Sequence, residues 1–316
     1  MEKPSTWSRI MQFDAIVIGG SFAGLSAAIH IARARRRVCV IDTGRPRNRF
    51  ASASHGFFGQ DGAKPSTMID AALTQVRRYP TTRVMAGEAQ AARAIPGGFD
   101  VTVSGGETLS ASRLVLAFGI SDLLPNIDGL AERWGSSVLH CPYCHGYEFA
   151  EKRLGVLYSS PLSIHQALLI ADWGPTTLYL DGKGGLDDDS LEQLARRRVF
   201  IEARQISRLN GEQGELHSLS FVKGEENPID ALYVTPHWRL NSPIAQHLGC
   251  ALDDCPLGPL VRTDEKKETS VHGVYAAGDI ARAPHNASWA AADGVTAGIF
   301  LHQSLVFAPF TSLEPK

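Results

Sequence analysis

Between Phe13 and Asp42 the chain spells a strand, a glycine turn, a helix and a second strand, and few folds accept that order. Phe13-Asp14-Ala15-Ile16-Val17-Ile18 is an apolar, β-branched run that ends in Gly19-Gly20. Such a run reads as a strand buried on both faces, the kind found in parallel sheets. From Gly24 to Arg37, residues Leu25, Ala28, Ile29 and Ala32 recur at helical spacing, and Val38-Cys39-Val40-Ile41-Asp42 is a second buried strand. Parallel strands need a crossover, so the segment is a βαβ unit of about 30 residues.

The turn Gly19-Gly20-Ser21-Phe22-Ala23-Gly24 reads as G-x-G-x-x-G with Ser21 at the middle glycine position. Gly19 permits the tight turn, and Gly24 lets the helix pack closely on the sheet. Ser21 is small enough for a ligand to approach the backbone. The helix opening at Phe22 and Ala23 then offers N–H groups and a positive dipole end to a pyrophosphate. Asp42, eighteen residues past Gly24, supplies a carboxylate for an adenosine ribose hydroxyl. A turn conserving only packing is the alternative.

Length sets the organisation. A chain of 316 residues is expected to form two domains. Thirty-one Lys and Arg against thirty-three Asp and Glu leave no electrostatic footprint for nucleic acid. No apolar stretch approaches the roughly 20 residues that span a bilayer, so no membrane role is expected. Met1-Glu2-Lys3-Pro4-Ser5-Thr6-Trp7 has no apolar signal core, which points to the cytoplasm. Five cysteines cannot all pair, so any that matter do so by reactivity.

Residues Arg45 to Thr67 read as an extended loop, followed by a helix over Thr67–Tyr79. Strands follow at Phe99–Val103 and Arg113–Ala117, with a turn at Gly105-Gly106 between them. A second, weaker βαβ pattern runs through a strand at Leu154–Leu157, a helix at Leu162–Trp173, a strand at Thr176–Leu180 and a helix at Ser190–Arg198. Asp187-Asp188-Asp189 reads as solvated charge at that last helix's start. Beyond a strand at Ala231–Thr235 the chain ends in a strand at Gly273–Ala277 and an alanine-rich helix from Ser288 to about Leu305. The fold class is α/β, with two Rossmann-like domains. Residues 1–119 and 241–316 form a discontinuous domain, and residues 120–240 are inserted into it as a central domain.

Two further segments carry chemistry. Thr269-Ser270-Val271-His272-Gly273-Val274-Tyr275-Ala276-Ala277-Gly278-Asp279 ends a buried strand in Gly-Asp. It resembles the second signature of two-dinucleotide-domain flavoproteins, in which the Asp binds the ribityl chain of FAD. A plain strand-to-turn Gly-Asp is the alternative. Two signatures about 260 residues apart make FAD the expected cofactor.

The other segment is Cys141-Pro142-Tyr143-Cys144-His145-Gly146-Tyr147-Glu148. A zinc site wants about four ligands, and no second pair with ligand spacing is present. Cys141–His145 also spells the c-type haem signal, a chemistry at odds with a cytoplasmic chain. A glutaredoxin-like motif belongs near the start of a small domain. A redox dithiol exchanging electrons with a flavin fits the context best, with structural cysteines as the remaining alternative. No metal is expected.

Three segments in this order and spacing resemble the low-molecular-weight thioredoxin reductase family over most of the chain: Val17 to Ala28, Cys141 to Glu148, and Thr269 to Asp279. The resemblance implies that the dithiol lies in the central domain. It makes Cys144 the thiol next to the flavin and Cys141 the interchange thiol that attacks the partner's disulfide. Where the family has Asp after the second Cys, this chain has His145, which can serve as acid/base for the leaving thiol. A hydrogen-bonded turn residue is the plainer role for His145, and Glu148 is a second candidate for the acid/base. Asn286 and Ala287 lie where the family opens a helix against the reduced flavin, its Arg-Gln being His285 and Asn286 here. The resemblance further implies a homodimer acting on thioredoxin or a small dithiol/disulfide.

The expected NADPH turn departs from the family. The strand Leu154–Leu157 leads into Tyr158-Ser159-Ser160-Pro161 without the glycines, and only Lys183 beside Asp181 stands in for a basic cluster. Tyr158 is bulky where backbone must approach phosphate, and Pro161 lacks an N–H. A donor other than NADPH, such as ferredoxin, is expected. A dithiol oxidase passing electrons to oxygen, a drifted turn that still takes NADPH, and a non-catalytic flavin-binding protein are the alternatives. The tail through Phe307 and Phe310 carries aromatics that read as packing, or as a cover for the flavin or a partner subunit.

Overall fold

A computed structural model describes residues 12–307. The segment Met1–Trp7 and the tail residues Ala308, Pro309 and Phe310 lie outside the described residues. Contacts divide the chain into two units, one holding Ser66–Ser121 and the stretches up to Arg47 and from Trp238 onward, the other Asn48–Pro65 and Asp122–His237.

The first unit opens with β1 (Phe13–Ile18), α1 (Phe22–Arg33) and β2 (Val38–Asp42). Helix α1 starts at the glycine turn itself. It stops at Arg33, short of the Arg37 the apolar spacing predicts, because the backbone turns left-handed at Arg35 (φ 62°). Then come α2 (Pro65–Arg77), β3 (Thr82–Ala86), β4 (Ala89–Ile95), β5 (Gly98–Val103) and β6 (Thr108–Leu116). Strands β3 and β4 were not legible in the sequence. Thr-Arg-Val-Met-Ala carries little apolar weight, and Ala-Gln-Ala-Ala-Arg-Ala-Ile has helical rather than strand propensity.

The chain passes through β7 (Ile120–Leu123) into the central unit, with β8 (Val138–Leu139), α3 (Pro142–His145), β9 (Leu154–Leu157), α4 (Pro161–Ile170), β10 (Thr176–Tyr179), α5 (Asp188–Arg196) and β11 (Phe200–Glu202). Asp187 caps α5, accepting from the Ser190 N–H at 2.7 Å, so the acidic run is helix-start charge as its composition suggests. Next are β12 (Ile206–Asn210), β13 (Ser218–Phe221), β14 (Glu226–Pro228) and β15 (Ala231–Tyr233). The return runs through β16 (His237–Leu240), α6 (Ile244–His247), β17 (Leu252–Cys255), β18 (Gly258–Val261), β19 (Val274–Ala276) and α7 (Ala287–Val306).

In the first unit the sheet order is β3-β2-β1-β6-β5-β4, with β19 also on β6. Strands β1, β2, β3, β6 and β19 are parallel, while β4 and β5 add an antiparallel edge. Alternate residues of β1 feed opposite cores: Ile16 and Ile18 one, Ala15 and Val17 the other. The central unit's main sheet, β11-β10-β9-β15-β8, is wholly parallel. A three-stranded antiparallel sheet, β12-β13-β14, accompanies it and was not anticipated. Both units are thus Rossmann-like α/β structures.

Candidate active site

The glycine turn of the first unit is fixed by close approaches. Gly19 has φ 111°, and a Cβ there would lie 2.1 Å from the Ala117 carbonyl oxygen; at Gly24 it would lie 1.8 Å from the Gly19 oxygen. Gly20 is equally constrained, since its Cβ would meet the Asp42 side chain at 2.8 Å. The Gly20 N–H donates to Asp42 Oδ1 at 2.9 Å, and the Gly44 N–H to Oδ2 at 3.1 Å. The turn therefore orients the Asp42 carboxylate, and each oxygen keeps a second lone pair for a hydroxyl donor. Ser21 holds an extended N-cap conformation without capping α1 through its side chain, and no acid lies in that helix's first turn. Phe22, Ala23 and Gly24 form that turn.

At the other end of the unit, Gly278 has φ 79° and leads into Asp279, whose carboxylate pairs with Arg47 Nη1 at 2.9 Å. Sequence reading gave Arg47 no role, because nothing local links it to a residue 232 positions away. Asn286 caps α7, accepting from the Ser288 N–H at 2.8 Å, and Ala287 is the first helical residue. A dinucleotide is suited to this set: an acid-free helix start for its phosphates, an oriented carboxylate for its ribose, and a charged Arg–Asp pair for a polyol chain.

The dithiol belongs to the central unit. Strand β8 ends at Leu139, and after His140 the residue Cys141 takes an extended conformation as the N-cap of the one-turn helix α3. Pro142 follows at the first helical position, where a missing N–H costs nothing. The Cys144 N–H bonds the Cys141 carbonyl at 3.3 Å, and the two sulfurs stand 2.7 Å apart, both half-buried. Gly146 brings this turn against Trp173, since a Cβ there would meet the indole at 2.8 Å. Gln166 is a buried strut, its Nε2 donating to the His140 carbonyl at 2.8 Å while its Oε1 accepts from Thr235 Oγ1 at 3.0 Å.

His145 ends α3, one residue past Cys144. Burial holds its pKa below the usual histidine range; Glu148 opposes that shift and His55 adds to it. His55 comes from the stretch read as an extended loop, and its ring lies edge-on to His145 with centroids 6.5 Å apart. Its Nε2 is 3.3 Å from Glu148 Oε1, and its Nδ1 is 3.6 Å from Asp61 Oδ1. Sequence reasoning missed His55 and Asp61. A histidine and an aspartate within a Gly-rich stretch were the only signal available.

The other cysteines are apart from this chemistry. Burial pushes the Cys39 thiol up to about 11. Cys250, also buried and raised by burial, donates its S–H to Thr269 Oγ1 at 3.5 Å, and neither it nor Cys255 is in a disulfide.

The turn after β9 bonds its own Ser159 and Ser160 N–H groups, although the buried Ser160 hydroxyl has no partner. The Ser163 hydroxyl, fully buried, accepts the N–H groups of Ser159 at 3.0 Å and Ser160 at 3.5 Å. Lys183 Nζ donates to the Tyr158 carbonyl at 3.1 Å, and Asp181 Oδ1 accepts the Ile206 N–H at 2.9 Å.

Comparison with known proteins identifies the family. Residues 13–294 match the pyridine nucleotide-disulphide oxidoreductase family. The chain is 32% identical to thioredoxin reductase tcpT of Claviceps purpurea, over 84% of this chain and 86% of that protein. It is also 32% identical to thioredoxin reductase sirT of Leptosphaeria maculans, over 90% and 92%. An oxidoreductase from Agrobacterium tumefaciens superposes with a TM-score of 0.90 at 42% identity, covering 94% of this chain and 99% of that one. The chain belongs to the pyridine nucleotide-disulphide oxidoreductase family. Within it, it is a thioredoxin-reductase-like oxidoreductase whose cofactor is FAD.

Proposed function

We propose that this protein is a thiol–disulfide oxidoreductase whose working pair is Cys141 and Cys144. The observation that carries the reading is that pair itself, two half-buried sulfurs 2.7 Å apart at a helix start, with His145 next in sequence. Bound FAD supplies a two-electron donor or acceptor. Its holding residues are Gly19, Ser21, Phe22, Ala23, Gly24 and Asp42 at one end and Gly278, Asp279, Asn286 and Ala287 at the other. They belong to a domain of residues 1–119 and 241–316, with residues 120–240 carrying the dithiol.

In the exchange, the Cys141 thiolate attacks one sulfur of the partner's disulfide. The mixed disulfide forms as the partner's other sulfur leaves as a thiolate, and His145 returns a proton to it. Loss of the Cys144 proton to His145 then lets that sulfur attack Cys141 and expel the partner's second sulfur as a thiolate, which takes the proton back from His145. The partner gains two electrons and two protons, and Cys141–Cys144 becomes the disulfide. Run in reverse, the same steps oxidise a dithiol. The partner is thioredoxin, as the relatives' names suggest, or a small dithiol/disulfide. The donor is other than NADPH, such as ferredoxin, and the engagement of the Ser159 and Ser160 N–H groups and of Lys183 within the turn after β9 favours this over an NADPH site. Electron delivery to oxygen from a dithiol substrate is supported by that same turn. We place the protein in the cytoplasm as a homodimer. No helix among the described residues is long and apolar enough to cross a membrane.

Dithiothreitol is expected to alter the visible flavin spectrum of the wild type. Cys144→Ser is expected to abolish turnover and change that response. If the variant's spectrum and turnover match the wild type, the dithiol is structural and the reading fails.

A further inference from the structure

The parallel ladder that carries the chain toward the dithiol stops just short of it. The Leu232 N–H donates to the Ser137 carbonyl at 2.9 Å, and the Val234 N–H to the Leu139 carbonyl at 2.8 Å. The next donor in that register would be residue 236, a proline without an N–H. The Cys141 carbonyl turns instead to the Cys144 N–H at 3.3 Å, and α3 begins. The His140–Cys141 peptide is the first that the ladder leaves behind.

Gln166 of α4 takes hold of that peptide. Its Nε2 donates to the His140 carbonyl at 2.8 Å, and its Oε1 accepts from Thr235 Oγ1 at 3.0 Å. A carbonyl can only accept, which sets the amide nitrogen toward His140. The helix is anchored in turn, because Ser163, three residues earlier and fully buried, accepts the Ser159 N–H at 3.0 Å. A peptide unit is planar, so holding the oxygen of His140 also holds the Cα of Cys141, which carries the sulfur. Gln166 is only 8% exposed. A methionine would fill that space without burying an amide, so packing does not account for a glutamine there.

We propose that Gln166 is a positioning residue for the dithiol, holding the Cys141 backbone where its sulfur closes on that of Cys144. A disulfide accepts a narrow range of Cα separations, so a Cys141 already in place favours closure over the open dithiol. The inference rests on Cys141 and Cys144 being the working pair.

The test equilibrates the FAD-bound protein anaerobically in glutathione buffers. The dithiol gives up two electrons and two protons as it closes, and one oxidised glutathione becomes two reduced ones. Acid quenching, alkylation and peptide mass spectrometry report the fraction of Cys141 and Cys144 in the disulfide. Gln166→Met is expected to lower the equilibrium constant for closure by about tenfold, about 30 mV for this two-electron couple. Gln166→Glu keeps the shape and makes the contact titratable. Its protonated carboxyl donates to the His140 carbonyl and accepts from Thr235, whereas the carboxylate cannot donate. Compared with wild type at each pH, this variant should match it at low pH and fall to the Gln166→Met level as the introduced carboxyl ionises. Burial places that change above the ordinary glutamate value of about 4.3. His140, His145, Glu148, Tyr233 and the two cysteines titrate around the dithiol in every variant, so the ratio to wild type cancels them. A negative charge acting by itself would disfavour the thiolate and so favour closure, which is the opposite sign. A constant within about twofold of wild type in Gln166→Met overturns the proposal and leaves Gln166 as packing. If that variant fails to fold, the Gln166→Glu series decides alone, and a ratio that stays flat or rises with pH is fatal. Failure of the wild-type dithiol to close in these buffers would instead refute the working-pair reading, so the two failures are distinguishable.

Discussion

His145 is the residue whose environment makes the sharpest demand on pH behaviour. Its neutral form is the proton acceptor, and burial favours that form. A rate that needs neutral His145 therefore holds as pH falls through the ordinary histidine value of about 6.5 and declines only at lower pH. Glu148→Gln removes the group that raises the His145 pKa, so the acid limb moves to still lower pH. His55→Asn removes a group that lowers it, and the limb moves up. His145→Gln should lower turnover by about 10²-fold and flatten the limb. A pH–rate profile of dithiol turnover for the three variants checks the signs, and shifts of Glu148→Gln and His55→Asn in the same direction would refute the assignment. What the sequence revealed at this scale was contiguous. The Cys141–Glu148 run and the Gly19–Gly24 turn are each complete within a few residues. His55, Asp61 and Gln166 were silent because they come to the dithiol's surroundings only through packing of a distant loop and α4. Arg47 was silent for the same reason.

The glycine turn is held from behind by helices. A Cβ on Gly294 of α7 would lie 2.0 Å from the Ala23 carbonyl oxygen of α1, and one on Gly298 would lie 2.7 Å from the Ala27 oxygen. That closeness explains why α7 is rich in small residues, a pattern the sequence displays without its purpose. Gly294→Ala must push α1 away from α7, and backbone cannot yield as a side chain does. Overpacking of this kind costs about 1–3 kcal/mol. A loss of melting temperature of roughly 2–4 °C per kcal/mol is expected, together with weaker retention of FAD. Gly184→Ala, with nothing within 4 Å of its Cβ, is the control and should stay within about 0.5 kcal/mol. Equal melting and equal flavin content in the two variants would refute the close-packing account. The strands the sequence concealed, β3, β4 and β12 to β14, are edge or satellite strands with weak apolar signals. The strands it showed plainly, β1, β2 and β9, are buried on both faces.

For the molecule as a whole, the open question is which donor or acceptor completes the electron path, and the turn after β9 bears on it. Tyr158 and Pro161 were readable in the sequence as obstacles to a pyrophosphate. What was not readable is that the Ser159 and Ser160 N–H groups and Lys183 already have partners, while the buried Ser160 hydroxyl has none. The Ser159 and Ser160 N–H groups bond the buried Ser163 hydroxyl, and Lys183 bonds the Tyr158 carbonyl. A nucleotide phosphate would have to displace each of these bonds, worth about 0.5–1.5 kcal/mol apiece, with no pair of arginines to compensate. Anaerobic mixing of the FAD-bound enzyme with NADPH or NADH at micromolar levels is therefore expected to leave the flavin absorbance unchanged on the timescale of turnover. Reduced ferredoxin or a small dithiol should bleach it. Stopped-flow absorbance measures both, and rapid bleaching by either nicotinamide would show that the turn opens to admit one, overturning the donor assignment while leaving the dithiol chemistry of Cys141 and Cys144 intact.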